Sequence, residues 1–347
     1  MPPVSPELLE RAAACYALEA GELTPRRGGH FAHVYGFQRQ GRSYVLRLTP
    51  PDEDTDLPQM QAALHWLDYL ASHGGLAAGP RPSAQGRLIE SLEQPEGRYL
   101  AVAFAAAPGV LSEEFPLDRW DERLFASLGR SVGRMHALAQ GYHPAAGLAA
   151  RPQWNAGGSL FSRRPSAVLR QAQDASTDPA LALACRKQEA LLNEVEALPL
   201  EALPQAAESY GLIHADLHFG NFFIEPQSGR ITIIDFDDCC YGWYVMDLAM
   251  LLFDVLVLYP GADRQEFAGR FWRSLLRGYR EEKALERFWL AQMPRLLKLL
   301  ELGVYIQVQP FYRPGDPDPW TSRFMPGRAE RIAGDIPYLE FDFEALR

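Results

Sequence analysis

Gly211-Leu-Ile-His214-Ala-Asp216-Leu-His218-Phe-Gly-Asn221, continued by Phe222-Phe-Ile-Glu225-Pro-Gln-Ser-Gly229-Arg-Ile-Thr-Ile-Ile234 and closed by Asp235-Phe-Asp237-Asp238, is the stretch around which the chain is organised. Apolar residues lead into a loop that carries two histidines, an aspartate and an asparagine. Phe222 to Glu225 and Arg230 to Asp235 have strand composition, and Pro226-Gln-Ser-Gly229 between them has turn composition, so the segment reads as a hairpin. A turn centred between Gln227 and Ser228 sets Asn221 across from Ile234 and beside Asp235, next to the loop bearing Asp216. An amide and two carboxylates gathered in this way suit a metal, a phosphate and a general base.

The chain has 347 residues, 47% apolar and 22% charged, enough to bury a sizeable core in one large domain or two modest ones. A net charge of −10 and a pI of about 5.4 argue against a nucleic-acid binder, which needs a basic face. Cys15, Cys185, Cys239 and Cys240 show no metal or redox spacing, which fits a reducing cytoplasm. The N-terminus lacks the apolar core of a signal peptide, and the most apolar run, Val245 to Tyr259, is interrupted by Asp247 and Asp254. That run is too short and too charged for a bilayer span and reads as a buried helix. The expectation is a cytoplasmic protein with no membrane partner.

Outward from the central stretch, the N-terminal third is strand-rich. A helix over Pro6 to Leu18, capped by Ser5, precedes a glycine-containing loop at Gly28-Gly29 and a hairpin turning at Gln40-Gly41. Its second strand contains Val45-Leu-Arg47-Leu48, and a cation inside an apolar strand implies an anionic partner, unless Arg47 faces solvent while Leu46 and Leu48 face inward. A helix over Leu57 to Ser72 and strands over Arg87 to Glu90 and Tyr99 to Phe104 follow, with a boundary at Ala105 to Gly109. Beyond it the pattern is helical: Arg119 to Ala139, which carries His136 as a packing residue, then Ala167 to Leu198, Asp263 to Tyr279 and Glu286 to Ile306, with Pro310 to Pro326 as loop. The expected architecture is α+β and two-lobed, with a nucleotide-binding lobe over residues 1–107 and a helical lobe over 108–347 that holds the catalytic and metal loops and the acceptor site.

Two chemistries fit the central cluster. With period-two spacing on a strand, His214, Asp216 and His218 would share one face as a metal-hydrolase site. In phosphoryl transfer, Asp216 would orient or accept the proton of an attacking hydroxyl, and Asn221 and Asp235 would offer the hard oxygen donors that magnesium prefers.

The motif His214-x-Asp216-x-x-x-x-Asn221 followed by Ile234-Asp235-Phe-Asp237 resembles the catalytic and metal loops of the aminoglycoside phosphotransferase family. That family includes choline, fructosamine and type II homoserine kinases and has the protein-kinase-like fold. Asp247-Leu-Ala249 after Tyr241-Gly-Trp243-Tyr244 is similar to its segment beyond the metal loop, and Gly129 to His136 to its first large-lobe helix. The resemblance implies transfer of the γ-phosphate of ATP, with Mg2+, to a hydroxyl of a small molecule. It makes Asp216 the base, Asn221 and Asp235 the metal ligands, and Arg47 with the Gly28-Gly29 loop the phosphate contacts. Ala101 to Ala106, with Val102 and Phe104, would hold adenine. His214 and Asp247 would brace the loop, and His218 would support it. Asp237, Asp238, Trp243 and Tyr244 are candidate contacts for an amine-bearing acceptor, through carboxylates and cation–π contact. The Leu57 to Ser72 helix lacks the glutamate with which the family often pairs its phosphate cation, leaving Gln61, His65, Asp68 or no partner. That absence keeps a catalytically inactive nucleotide-binding pseudokinase as an alternative.

Overall fold

The hairpin of β2 (His33–Arg39) and β3 (Arg42–Thr49) turns through two residues in left-handed backbone, Gln40 at φ 51° and Gly41 at φ 72°. Two positive φ values in a two-residue loop match the right-handed twist of the flanking strands. In the computed structural model, which describes residues 4–26, 32–51, 56–116, 119–156, 167–198, 206–315 and 317–345, the chain forms two compact units. One comprises Met1–Gly109, Tyr142–Ala150 and Thr232–Asp237; the other comprises Val110–Gly141, Arg151–Ile231 and Asp238–Arg347.

In the first unit, β1 (Thr24–Arg26), β2 and β3 are joined by β6 (Gly97–Ala105) into an antiparallel sheet. The far edge of β6 is shared by β5 (Glu90–Gln94) and β4 (Pro80–Arg81). One face buries Tyr35, Phe37, Leu46, Leu48, Leu92, Tyr99, Ala101 and Ala103 against Leu8, Ala12 and Ala13 of helix α1 (Pro6–Cys15). Strand alternation sends Val45, Arg47, Val102 and Phe104 to the other face. Leu46 and Leu48 therefore face the core while Arg47 is also covered, because both faces of the sheet are in use. Helix α1 stops at Cys15, short of the expected Leu18, because Ala17 turns left-handed at φ 52°. The strand expected at Arg87 begins instead at Glu90; the chain turns from Ser83 to Gly86 before it, and Arg87 pairs with Glu90 after that turn. Helix α2 (Leu57–Ser72), capped by Asp56 with proline in its first turn, buries Trp66 against Phe236, ring centroids 5.2 Å apart. Ile233 bonds along the chain at Leu76 and Ala78, which ties the segment carrying Asp235 and Asp237 into this unit.

The second unit is built on helices. Helix α3 (Glu122–Ala139) packs on α7 (Arg264–Glu282) so closely that Gly129 and Gly278 lie against backbone carbonyls of the opposite helix, where a Cβ would overlap. Helix α6 (Val245–Leu258) is buried along its length and is apolar on every side except at Asp247 and Asp254. The segment expected as one helix over Ala167 to Leu198 is two, α4 (Ala167–Asp174) and α5 (Pro179–Glu196). Asp178, extended in backbone, caps α5, and Pro179 occupies its first position, where it starts a helix but cannot continue one from before. Helix α8 (Arg287–Val308) follows, then a short α9 (Pro319–Phe324) within the segment expected to be loop, started by the same Asp-Pro device, and α10 (Arg328–Ala333). Short strands complete the unit: β7 (Val110–Leu111) pairs with β9 (Phe222–Ile224), and β8 (Tyr210–Ile213) with β11 (Cys240–Trp243). Strand β10 (Ile231–Ile233) is where the chain passes from the second unit into the first. Among the described residues no helix is long and apolar enough to cross a membrane.

Candidate active site

Strand β8 delivers the chain at Ile213 into a tight loop whose first residues hang from one carboxylate. Asp247 on α6 accepts the backbone N–H of His214 at 2.8 Å, that of Ala215 at 2.9 Å and His136 Nε2–H at 3.0 Å. Ala215 has φ 67°, a left-handed conformation that costs an alanine about 1 kcal/mol or more and is held by those bonds. The turn projects Asp216, whose side chain is 32% exposed. Asn221 Nδ2 donates to the Asp216 backbone oxygen at 2.8 Å and to its Oδ2 at 3.1 Å. Both amide hydrogens thus point to Asp216, leaving the Asn221 oxygen as the acceptor end. His218 N bonds back to Asp216 O, and Asn221 N to His218 O, both at 3.0 Å, so the five-residue step from Asp216 to Asn221 is coiled, not extended.

The two histidines of the motif do different things. His214 is fully buried and its Nδ1 accepts the Asp216 N–H at 3.3 Å. His218 places Nε2 3.6 Å from Asp216 Oδ2, and its Nδ1 accepts the Gly220 N–H at 2.9 Å. The shared strand face that a hydrolase cluster needs does not form, because the left-handed Ala215 breaks the period of two. Among the described residues no group of three His, Cys, Asp or Glu is disposed around one metal position. Gly220 lets the His218 ring lie close over the loop: a Cβ would stand 2.5 Å from His218 Cε1 and 3.0 Å from Glu113 Oε1, so these side chains would have to shift.

Beneath the loop lies a buried chain of polar groups. His136 Nδ1 accepts from the Tyr279 hydroxyl at 3.0 Å while Nε2–H donates to Asp247, so both ring nitrogens are satisfied in the neutral form. Burial pushes the His136 pKa below its ordinary 6.5 in spite of Asp247. Burial alone would raise the Asp247 carboxyl, but the His136 bond and the His214 N–H outweigh it, and its pKa falls below the usual carboxylate value. Tyr244 stacks on His136 at 4.5 Å, and Trp243 on Trp289 at 4.6 Å. Both are buried inside the helical unit, while Asp238 is exposed. The two aromatic rings pack against His136 and Trp289.

Two groups that sequence reasoning missed also touch this loop. Asp254, on α6, accepts the Phe219 N–H at 2.7 Å and Trp320 Nε1–H at 2.6 Å, and Ser112 Oγ–H donates to the Phe219 carbonyl. The signal was present: an aspartate inside a helix that is otherwise apolar needs buried donors.

In the first unit, Arg47 lies between Val34 and Val102 in register, with its guanidinium carbon 5.3 Å from the Phe104 ring centre. Its ion pairs run to Asp235 at 3.4 Å and Asp237 at 2.9 Å, not to the α2 positions Gln61, His65 or Asp68. His65 bonds instead to the Tyr142 hydroxyl at 2.8 Å. Burial would lower the Arg47 pKa, but Asp237 and then Asp235 outweigh it and hold the charge firmly. Arg47 Nε is buried without a hydrogen-bond partner. Asp235 is left-handed at φ 61°, and its carboxylate is 50% exposed. The Asn221 oxygen and this carboxylate are hard donors of the kind that magnesium and calcium take. Gly28 and Gly29 fall outside the described residues.

Comparison with known proteins gives a consistent picture. The model of the phosphotransferase enzyme family matches residues 22–285. The amicoumacin kinase of Bacillus subtilis (strain 168) is 30% identical over 345 residues, covering 98% of this chain and 95% of that protein. The solved structure of amicoumacin kinase hAmiN in complex with AMP-PNP, Ca2+ and Ami has a TM-score of 0.81 at 28% identity, covering 98% of this chain and 96% of that one. A microcompartment-associated aminopropanol kinase, 20% identical with a TM-score of 0.69 over 99% of both chains, shares the fold.

Proposed function

The chain belongs to the phosphotransferase enzyme family and is a small-molecule kinase, and from that premise we propose that it transfers the γ-phosphate of ATP to a hydroxyl of an amicoumacin-like acceptor, with Asp216 as the base. The observation that carries this reading is the Asp216–Asn221 pair, held in a loop whose backbone is fixed from below by the buried Asp247. Transfer of this kind asks the protein for alignment and charge neutralisation more than for covalent chemistry. The acceptor oxygen forms a bond to the γ-phosphorus as the bond to the ADP oxygen breaks. Asp216 takes the proton that the hydroxyl releases. His218, 3.6 Å from Asp216 and partly exposed, supports that carboxylate.

Asn221 and Asp235 would hold a magnesium ion, which when bound neutralises phosphate charge. Arg47, whose guanidinium lies on the Asp235–Asp237 segment, would meet phosphate oxygens, as a planar fork can. Val102 and Phe104 would contact adenine. In this reading residues 1–107 serve the nucleotide, and residues 108–347 the acceptor and the base. A cationic or amine-bearing acceptor fits the net charge of −10 and the exposed carboxylates Asp238 and Glu113. Asp237 is already paired with Arg47. The free thiols of all four cysteines suit work in a reducing cytoplasm.

The test combines a thermal shift with MgATP and an assay of phosphate transfer to amicoumacin. MgATP raises the melting temperature of the wild type and of Asp216→Ala, and only the wild type transfers phosphate. Asp235→Ala loses the magnesium-dependent part of the shift. Transfer that survives in Asp216→Ala removes the base assignment, and the absence of any MgATP shift at millimolar concentration removes the kinase reading itself.

A further inference from the structure

Asp247 and Asp254 stand seven residues apart on α6, two helical turns, and so share one face about 10 Å apart along the axis. Asp247 takes the N–H groups of His214 and Ala215, at the start of the loop. Asp254 takes the N–H of Phe219, three residues after Asp216 and two before Asn221. Each carboxylate accepts in addition one ring N–H from another helix, from His136 of α3 in the first case and from Trp320 of α9 in the second. Phe219 is held on every side: N–H by Asp254, carbonyl by Ser112, and ring against Trp120 at 4.4 Å and Phe222 at 5.0 Å. The Asp216–Asn221 step is coiled by its own bonds, and Asp254 adds an anchor from the helix at Phe219, between the two residues, that the contacts at His214 and Ala215 do not supply.

We propose that Asp254 is a positioning residue of the transfer reaction, fixing Phe219 so that Asp216 and Asn221 keep their mutual pose, and that Trp320 sets the orientation of the Asp254 carboxylate. This rests on the reading of Asp216 as the base. Burial raises the Asp254 carboxyl pKa, and its two N–H donors oppose that rise by favouring the charged form, so Trp320 matters for keeping both oxygens as acceptors.

The chemistry supplies a discriminating pair of substitutions. Asp254→Asn keeps the shape but turns one acceptor into a donor, which then faces either the Phe219 N–H or the Trp320 indole N–H. Trp320→Phe removes the indole donor alone. In the double variant the asparagine oxygen can serve Phe219 while its NH2 meets no opposing N–H. ADP release from MgATP is measured with amicoumacin and with water as acceptors, together with far-ultraviolet circular dichroism. Asp254→Asn is expected to lower kcat about tenfold or more in both assays with KM for ATP within about twofold, a loss of the size of one misplaced catalytic contact. Trp320→Phe loses about threefold, and the double variant recovers part of the kcat lost in Asp254→Asn, as two residues in direct contact do; a fall in kcat with KM for ATP and the circular dichroism unchanged is what a merely structural role does not produce. If Asp254→Asn does not fold, Trp320→Phe still decides through kcat. A folded Asp254→Asn or Trp320→Phe enzyme with wild-type kcat, or strictly additive losses, overturns the proposal. Asp216→Asn run alongside separates the two readings: turnover in that variant removes the base assignment, whereas its loss together with a wild-type Asp254→Asn removes only this one.

Discussion

Asp247 and Asp254 lie on a buried apolar helix, 0% and 4% exposed, and each is surrounded by N–H donors. Asp235 and Asp237 lie on a short segment after β10, 50% and 47% exposed at the side chain, and share one cation, Arg47. Both pairs are carboxylates within reach of positive or donor groups, yet their physical situations are opposite. The buried pair fixes backbone, and removing one member leaves several N–H groups without an acceptor away from water. The exposed pair keeps oxygen atoms open to solvent and therefore to a metal or phosphate, with little at stake for folding. Burial here marks the groups that build the site, and partial exposure marks those that are available for its chemistry.

Substitutions can break that contrast. The largest stability effect is expected at the buried end: Asp247→Ala strands the N–H groups of His214, Ala215 and His136 and should cost about 3–5 kcal/mol. Chemical denaturation with a single transition measures it, and a loss below about 1 kcal/mol would mean that the loop does not depend on this carboxylate. Arg47→Ala, which removes the buried cation that the exposed pair shares, should weaken MgATP binding on the order of tenfold or more, as expected for a phosphate-binding arginine, and should also cost about 1–3 kcal/mol of stability through lost packing on Phe104 and unpaired carboxylates. Isothermal titration with MgATP and a urea melt of the same preparation separate the two effects.

A pH experiment sharpens the buried side. The His136 pKa in the folded chain lies below 6.5 because burial disfavours its charged form. Below that pH the unfolded chain binds a proton that the folded chain resists, so stability falls as pH drops from about 6.5 towards the folded value, by at most about 1.4 kcal/mol per pH unit. Asp247, with its pKa depressed, adds a further loss only in acid, below its ordinary value of 3.8. The slope between neutral pH and about pH 5.5 should therefore be shallower in His136→Gln than in the wild type. Smallest of all, Asp237→Asn leaves Arg47 paired with Asp235 and should change stability by less than about 0.5–1 kcal/mol, as for other half-exposed ion pairs.

Much of the molecule could be read from the chain. The α+β class, the β2–β3 hairpin with its Gln40-Gly41 turn and the Leu57–Ser72 helix follow from local periodicity and turn chemistry. The loop motif pointed to Asp216 and Asn221, which the fold brings into hydrogen-bond contact. Other features were less legible because they depend on partners distant in sequence. Arg47 finds its carboxylates 188 and 190 residues away, so no scan of the neighbouring helix could identify them. Asp254 looked like an interruption of an apolar run until Phe219 and Trp320 came to it. Trp243 and Tyr244 invited a cation–π role through their composition; both are buried, Trp243 stacked on Trp289 and Tyr244 on His136, and the cation over the Tyr244 ring is the chain's own Lys283 at 5.3 Å. The period of two in His214, Asp216 and His218 misled because a single left-handed residue, Ala215, cancels it, and one sequence alone does not reveal a non-glycine positive φ.

The central claim is that Asp216 takes the acceptor proton in transfer from ATP. Its most direct measurement is a single-turnover assay with γ-labelled ATP, magnesium and amicoumacin, comparing the wild type with Asp216→Asn at equal MgATP occupancy. Label is expected on the acceptor with the wild type, and a rate lower by about 100- to 10,000-fold in the variant, the usual loss of a general base. Equal transfer rates in the two enzymes, or MgATP binding without transfer by the wild type to any hydroxyl acceptor, would contradict it.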